Sequence, residues 1–78
     1  MEKRSPNQIE LFDRTWLLRA RLAAKLSREA VAEACGISVS YYSKIENGVQ
    51  LPNVRIGILI AKAVKADVGE FLREERLG

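Results

Sequence analysis

The residue types that carry enzymatic chemistry are sparse in this chain, while those that grip anions are plentiful. There is no histidine, and Cys35 is the single cysteine. A lone thiol with no imidazole beside it is neither an activated nucleophile nor a zinc site, so Cys35 is expected as a small buried hydrophobe. No catalytic carboxylate motif and no glycine-rich phosphate loop occur, so neither an enzyme nor a cofactor or metal is expected. The basic residues Arg14, Arg19, Arg21, Lys25 and Arg28 follow one another without an intervening acid, whereas from Asp67 onward the chain turns acidic through Glu70, Glu74 and Glu75. The formal charge is only +3, from 13 Lys+Arg against 10 Asp+Glu, so the distribution says more than the total. One pole is suited to face phosphates and the other to face away. Within the basic run, Arg14 and Arg19 read as a solvated face. Arg28 carries more weight because it falls at a helix N-terminus.

That N-terminus belongs to the most informative stretch, residues 27–48. Ser27 is a good N-cap for a helix ending at about Cys35, since its hydroxyl can accept from an orphan backbone N–H. Gly36 can take the positive φ that ends this helix. Ser38 caps a second helix running to about Glu46 or Asn47, and Gly48 stops it. Two short helices joined so tightly cross steeply, and the second can lay its exposed face in a major groove. Around them the sequence predicts three more helices and no strands. The first starts as early as Asn7 and ends at Lys25 or Leu26. The fourth, capped by Asn53, covers Val54 to about Lys65. The fifth, opened by a capping box of Asp67 and Glu70, covers Val68 to about Glu75. Residues 1–6 are expected to fray, and Pro52 makes residues 49–52 a loop.

Helical spacing picks the core. Val31, Ala32 and Cys35 form one stripe, Tyr42 and Ile45 another, and Ile56, Leu59, Ile60, Ala63 and Val64 a third. Val68, Phe71 and Leu72 complete it from the fifth helix, and Leu17, Ala20 and Ala24 from the first. Tyr41 and Tyr42 cannot share a face, so Tyr42 is assigned to the core and Tyr41 to the surface. Gly57 inside a helix costs about 1 kcal/mol against alanine; either a neighbour packs closely over it or it is a tolerated weakness. The first helix has a second apolar stripe, Leu11, Leu18 and Leu22, with Phe12 and Trp16 paired at i and i+4. Two readings fit: residues 7–12 fold back over this face, or it is a dimer or partner surface.

Residues Arg21, Leu26, Ser27, Ala32, Gly36, Ile37, Ser38, Ser43, Ile45, Glu46, Asn47 and Gly48 follow the pattern of a known family, with Pro52 and Asp67–Phe71 matching further on. On them the chain resembles the Cro/cI-type, lambda-repressor-like (XRE) helix-turn-helix family over about residues 16–72. It departs at Arg28 for the usual glutamine, Lys25 for the usual glycine and Tyr42 for an aliphatic. The resemblance implies an all-α, compact five-helix DNA-binding domain whose second and third helices make the helix-turn-helix. It implies DNA contact by Arg28, Ser38, Val39, Ser40, Tyr41, Lys44, Asn47 and Gln50. Lys44 would pair with guanine and Val39 would pack on a thymine methyl, while Arg28, Asn47 and Gln50 would hold phosphate. Arg21 and Glu46 are implied as a structural ion pair. Phe71, Leu72 and Leu77 lie where the family dimerises, and Leu11, Trp16, Leu18 and Leu22 form the further candidate partner surface.

Length bounds the rest. Seventy-eight residues make one domain, and a core this small is often stapled. One cysteine excludes a disulfide within the chain, leaving partner association. The start lacks the apolar stretch of a signal peptide, and the run from Ile56 to Ala66 is too short to span a bilayer, which needs about 20 apolar residues. A cytoplasmic protein is expected, with double-stranded DNA as partner, a homodimer as its form, and a small repressor of phage or mobile-element type as its role. Two alternatives stand beside it. One is an antitoxin-type DNA-binding protein that also binds a partner protein; the other is an interaction-only module of the same fold.

Overall fold

The computed structural model describes residues 12–74. Five helices follow in order: α1 Thr15–Ala23, α2 Arg28–Cys35, α3 Val39–Glu46, α4 Val54–Val64 and α5 Gly69–Leu72. No strand occurs among the described residues. Three helix starts are set by side chains that accept from a backbone N–H three residues on. Ser27 takes Ala30 at 3.0 Å, Ser38 takes Tyr41 at 3.0 Å and Asn53 takes Ile56 at 2.8 Å. Gly36 ends α2 in the left-handed region at φ 71°, and its backbone N–H returns to the last turn. Helices α2, α3 and α4 pack together with α1 around a core of Leu17, Val31, Ala32, Cys35, Tyr42, Ile45, Ile60 and Val64. The described chain measures 35 × 24 × 23 Å.

The ends of the chain depart from the sequence reading. α1 begins at Thr15, not Asn7, because Asp13 Oδ1 accepts from the Thr15 backbone N–H at 3.1 Å and from its hydroxyl at 2.7 Å. Before that, Phe12 N–H donates to the Gly48 carbonyl at 3.1 Å, so this segment runs beside the end of α3 instead of extending α1. Phe12 and Trp16 are therefore not a pair on one helix face. Leu11, Leu77 and the frayed start expected at 1–6 lie outside the described residues. α5 is a single short turn, and the expected capping box is not formed. Asp67 Oδ2 instead accepts from Arg73 Nη2 at 3.2 Å. Val68 and Leu72, assigned to the core by their spacing, are exposed, since so short a helix has no second turn to carry them inward.

Helix α1 holds the largest correction. Arg14, read as solvated, has a fully buried side chain at 0% exposure. Arg14, Leu17 and Arg21 sit at i, i+3 and i+7 and form the buried stripe of this segment. Trp16, offered as partner-facing, is half-buried and packs on Phe71, expected in the core, with ring centroids 4.8 Å apart at an interplanar angle of 85°. Only Leu18 and Leu22 of the described stripe stay exposed.

Candidate nucleic-acid interface

Helix α3 is bound to the protein by one face and free on the other. Tyr42, Ile45 and Glu46 are buried, while Ser38, Val39, Ser40 and Lys44 are exposed. Asn47 and Gln50, just beyond the helix, are exposed as well. Six of the residues expected at base edges and phosphates are thus exposed between the α3 cap and the following loop. Tyr41 departs from its expected exposure: it is half-buried, with its ring packed against the core.

Glu46 anchors the buried face. Its Oε1 accepts from Arg21 Nε at 2.7 Å and from the Tyr42 hydroxyl at 2.8 Å. Its Oε2 accepts from Arg21 Nη2 at 3.1 Å and from Arg28 Nε at 3.0 Å. The fork of Arg21 on this carboxylate is bidentate, which fixes orientation as well as distance. Arg21 Nη1 also donates to the Leu26 carbonyl at 2.9 Å, so α1, its exit turn and the end of α3 meet on one guanidinium. Burial pushes the Glu46 carboxyl upward, but the bonds from Arg21 and Tyr42 and the charges of Arg21 and Arg28 outweigh it and hold it below its ordinary range. The bond to Glu46 raises Arg21 further. Burial, then the bond to Glu46, pushes the Tyr42 hydroxyl far up, so it remains a donor.

Arg28 is where the structure adds most to the sequence reading. Expected as a free phosphate grip, it is the third side chain donating to Glu46, after Arg21 and Tyr42, and its Nη1 reaches the Ser43 hydroxyl at 3.4 Å. Its side chain keeps 38% exposure, on the rim of a polar cleft of about 170 Å³ between Phe12–Leu18 and the end of α3. Two guanidiniums share one carboxylate here, so the cluster carries a surplus positive charge at the α2 N-terminus. That charge and the helix dipole both favour an anion at this place.

A second buried cluster escaped the sequence reading. Arg14 donates through Nη1 to the Ile45 and Gln50 carbonyls at 2.7 and 3.0 Å, and through Nη2 to Glu74 Oε1 at 2.8 Å. Glu74 Oε2 accepts from Trp16 Nε1 at 2.6 Å. Arg14 Nε lies 2.6 Å from the same oxygen but is not aligned to donate to it, so that contact is ionic only. The signal in the sequence was the seven-residue spacing from Arg14 to Arg21, which places both on one helical face.

The remaining surface feature is apolar. A groove of about 340 Å³ runs between the loop at 51–53, α4 and α5, and exposed Leu51, Val54, Ile58, Val68 and Leu72 line it. Leu72 and Val54 are the most open, at 87% and 79%. No helix among the described residues is long and apolar enough to cross a membrane.

Comparison with known proteins agrees with this geometry. The helix-turn-helix family profile matches residues 17–71. An uncharacterized HTH-type transcriptional regulator of Bacillus subtilis (strain 168), YqaF, is 37% identical over 61 residues, covering 78% of this chain and 80% of that protein. In fold, the chain is similar to the clp gene regulator ClgR from Corynebacterium glutamicum, with a TM-score of 0.68 at 24% identity. That match covers 76% of this chain and 63% of the other. With α2 and α3 as its helix-turn-helix, the chain belongs to the Cro/cI-type (XRE) helix-turn-helix family of DNA-binding transcriptional regulators.

Proposed function

We propose that this protein is a sequence-specific binder of double-stranded DNA, acting in the cytoplasm as a small repressor of phage or mobile-element type, with no catalytic step. The observation that carries the reading is the division of α3: its buried side is held by Glu46 and Tyr42, and its open side offers Val39, Ser40 and Lys44. Lys44 supplies a point charge with donors for guanine, Ser40 a hydroxyl for either strand, and Val39 an apolar contact for a thymine methyl. Arg28, Asn47 and Gln50 flank these residues and set register on phosphates.

Dimerisation through the apolar groove completes the proposal. The groove and the protruding Leu72 lie on one face, so a twofold axis there would place the leucine of each copy near the hollow of the other. Two α3 helices about 34 Å apart would read a palindromic operator with half-sites one turn apart. A partner-binding, antitoxin-like role is the second reading, favoured by exposed Leu18 and Leu22 one turn apart on α1. Co-purification with a second protein that Leu22→Glu abolishes would support it.

Selection of bound sequences from a random duplex pool, repeated with Lys44→Ala, tests the main reading. The expected result is a palindromic site in the wild type, and with Lys44→Ala a loss of preference at one base pair per half-site worth about 1–3 kcal/mol. Recovery of no sequence preference from the wild-type pool would leave only the interaction-module reading.

A further inference from the structure

Arg14 has no part in the reading above, yet it grips the loop that this reading puts on DNA. Its Nη1 donates to two carbonyls, Ile45 in the last turn of α3 and Gln50 in the loop. One nitrogen therefore spans the stretch that presents Asn47 and Gln50. The backbone N–H groups of Gly48, Val49 and Gln50 all return to α3 itself, at Ile45 and Lys44. Among the described residues, the loop's polar ties to the rest of the protein are Arg14 and the Phe12–Gly48 backbone bond. The Ile45 carbonyl lies at a helix C-terminus, where partial negative charge accumulates and a cation is favoured.

The guanidinium that makes this bridge is itself fixed on its other sides. Glu74 holds one edge, and the rings of Phe12 and Phe71 flank its central carbon at 5.3 and 5.2 Å. A planar fork confined by two rings and a carboxylate keeps one orientation. A lysine in its place would carry the charge on a flexible stem and would not reproduce the planar fork.

We propose that Arg14 is a positioning residue for DNA binding: it touches no DNA, and it holds residues 47–50 where Asn47 and Gln50 meet phosphate. The proposal rests on the DNA-binding reading, and its test separates the two. Binding of the selected duplex is titrated against salt for the wild type, Arg14→Lys and the core variant Val64→Ala. All are measured in trimethylamine N-oxide, which strengthens burial without adding salt, at a level where circular dichroism shows each folded. Each phosphate contact contributes about 0.9 to the slope of log affinity against log salt. Arg14→Lys is expected to lower that slope by about 1–2 while leaving base preference unchanged. Val64→Ala removes buried core volume but leaves every polar contact of Arg14 in place, so it melts lower yet keeps the wild-type slope. Should Arg14→Lys not fold, Arg14→Met, which fills the space between the rings without a charge, is read in its place. A folded Arg14 variant with wild-type slope and affinity overturns the proposal. So does a Val64→Ala protein that loses as much slope, because the effect would then follow stability alone. A wild type that binds no duplex fails at an earlier step and brings down the DNA reading together with this one.

Discussion

Removing the Glu46 carboxylate is the perturbation whose consequence follows most directly from the structure. In Glu46→Ala, Arg21 loses both arms of its bidentate contact, Tyr42 loses the acceptor of its hydroxyl, and Arg28 loses its only acid partner among the described residues. These losses differ in cost. Arg28 is half-exposed and can turn to water, so its share is small. Tyr42 is fully buried, and a stranded hydroxyl costs about 1–3 kcal/mol. Arg21 is nearly buried, and breaking such a pair from one side costs about 3–5 kcal/mol, a figure that already contains part of the tyrosine loss. A chain of this length has a total stability of about 4–12 kcal/mol, so Glu46→Ala leaves a protein close to unfolding.

In a thermal melt followed by circular dichroism, the expected fall in Tm is about 12–40 °C, from about 4–8 °C per kcal/mol for a domain of this size. Glu46→Gln keeps one oxygen acceptor and should lose less, about 2–3 kcal/mol. Replacing Arg21 and Glu46 together by methionine should recover part of the alanine loss, because no stranded guanidinium remains between α1 and α3. Base preference, measured well below the melting point, should be unchanged in all three, since Glu46 faces the core and not the open side of α3. A Glu46→Ala protein that melts within about 3 °C of wild type would refute the assignment, because Arg21, with only 10% of its side chain exposed, would then have lost its buried partner at no cost.

Acid should undo the same cluster. The Glu46 carboxyl is held below its ordinary value of 4.5, so its contribution is fully present above that value and is lost as pH falls through the lower, folded one. With no histidine in the chain, urea midpoints should hold from neutral pH to about pH 5 and then drop, and Glu46→Gln should flatten that drop. A Cβ added at Gly57 would meet Phe71 at 3.7 Å and Pro52 at 3.9 Å, ordinary contact distances, so Gly57→Ala should raise stability by about 0.5–1 kcal/mol in urea titration. Lys25 sits at φ 60°, where a side chain is disfavoured, so Lys25→Gly should also stabilise, by about 1 kcal/mol, as a higher Tm. Gly48→Ala should do the opposite and melt far lower, since its φ is +81° and a Cβ there would collide with the Phe12 carbonyl oxygen.

The middle of the fold was legible because its signals are local. Ser27, Ser38 and Asn53 each cap within three residues, and Gly36 ends α2 by its own backbone freedom. The ends were not legible, because their structure depends on partners far along the chain. Arg14 reads as one more solvated arginine until Glu74, 60 residues away, arrives beside it. Phe12 extends the helical pattern of α1 until the Gly48 carbonyl takes its N–H. Gly57 left two readings open, and the distances to Phe71 and Pro52 decide for a tolerated weakness. Lys25, noticed only as a missing glycine, proves to hold the left-handed backbone that glycine would have adopted freely.

The two buried arginines that escaped or shaped this reading divide one task. Arg21 meets α3 through the Glu46 side chain and Arg14 meets it through the Ile45 carbonyl, so both act on the last turn of the helix. Among the described residues, its first turn is held by the Ser38 cap, the core contacts of Tyr41 and Tyr42, and the Tyr42 hydroxyl bond to Glu46. Stiffness in α3 should therefore rise toward its C-terminal end, where Lys44 and Asn47 lie, and fall toward Val39 and Ser40. On the proposed DNA-binding reading, a helix so held would adjust its N-terminal contacts to small differences between sites while its C-terminal contacts stay in register. Substitutions at Val39 and Ser40 should accordingly retune base preference with little loss of stability. Those around Ile45 and Glu46 should cost stability before they change what is read.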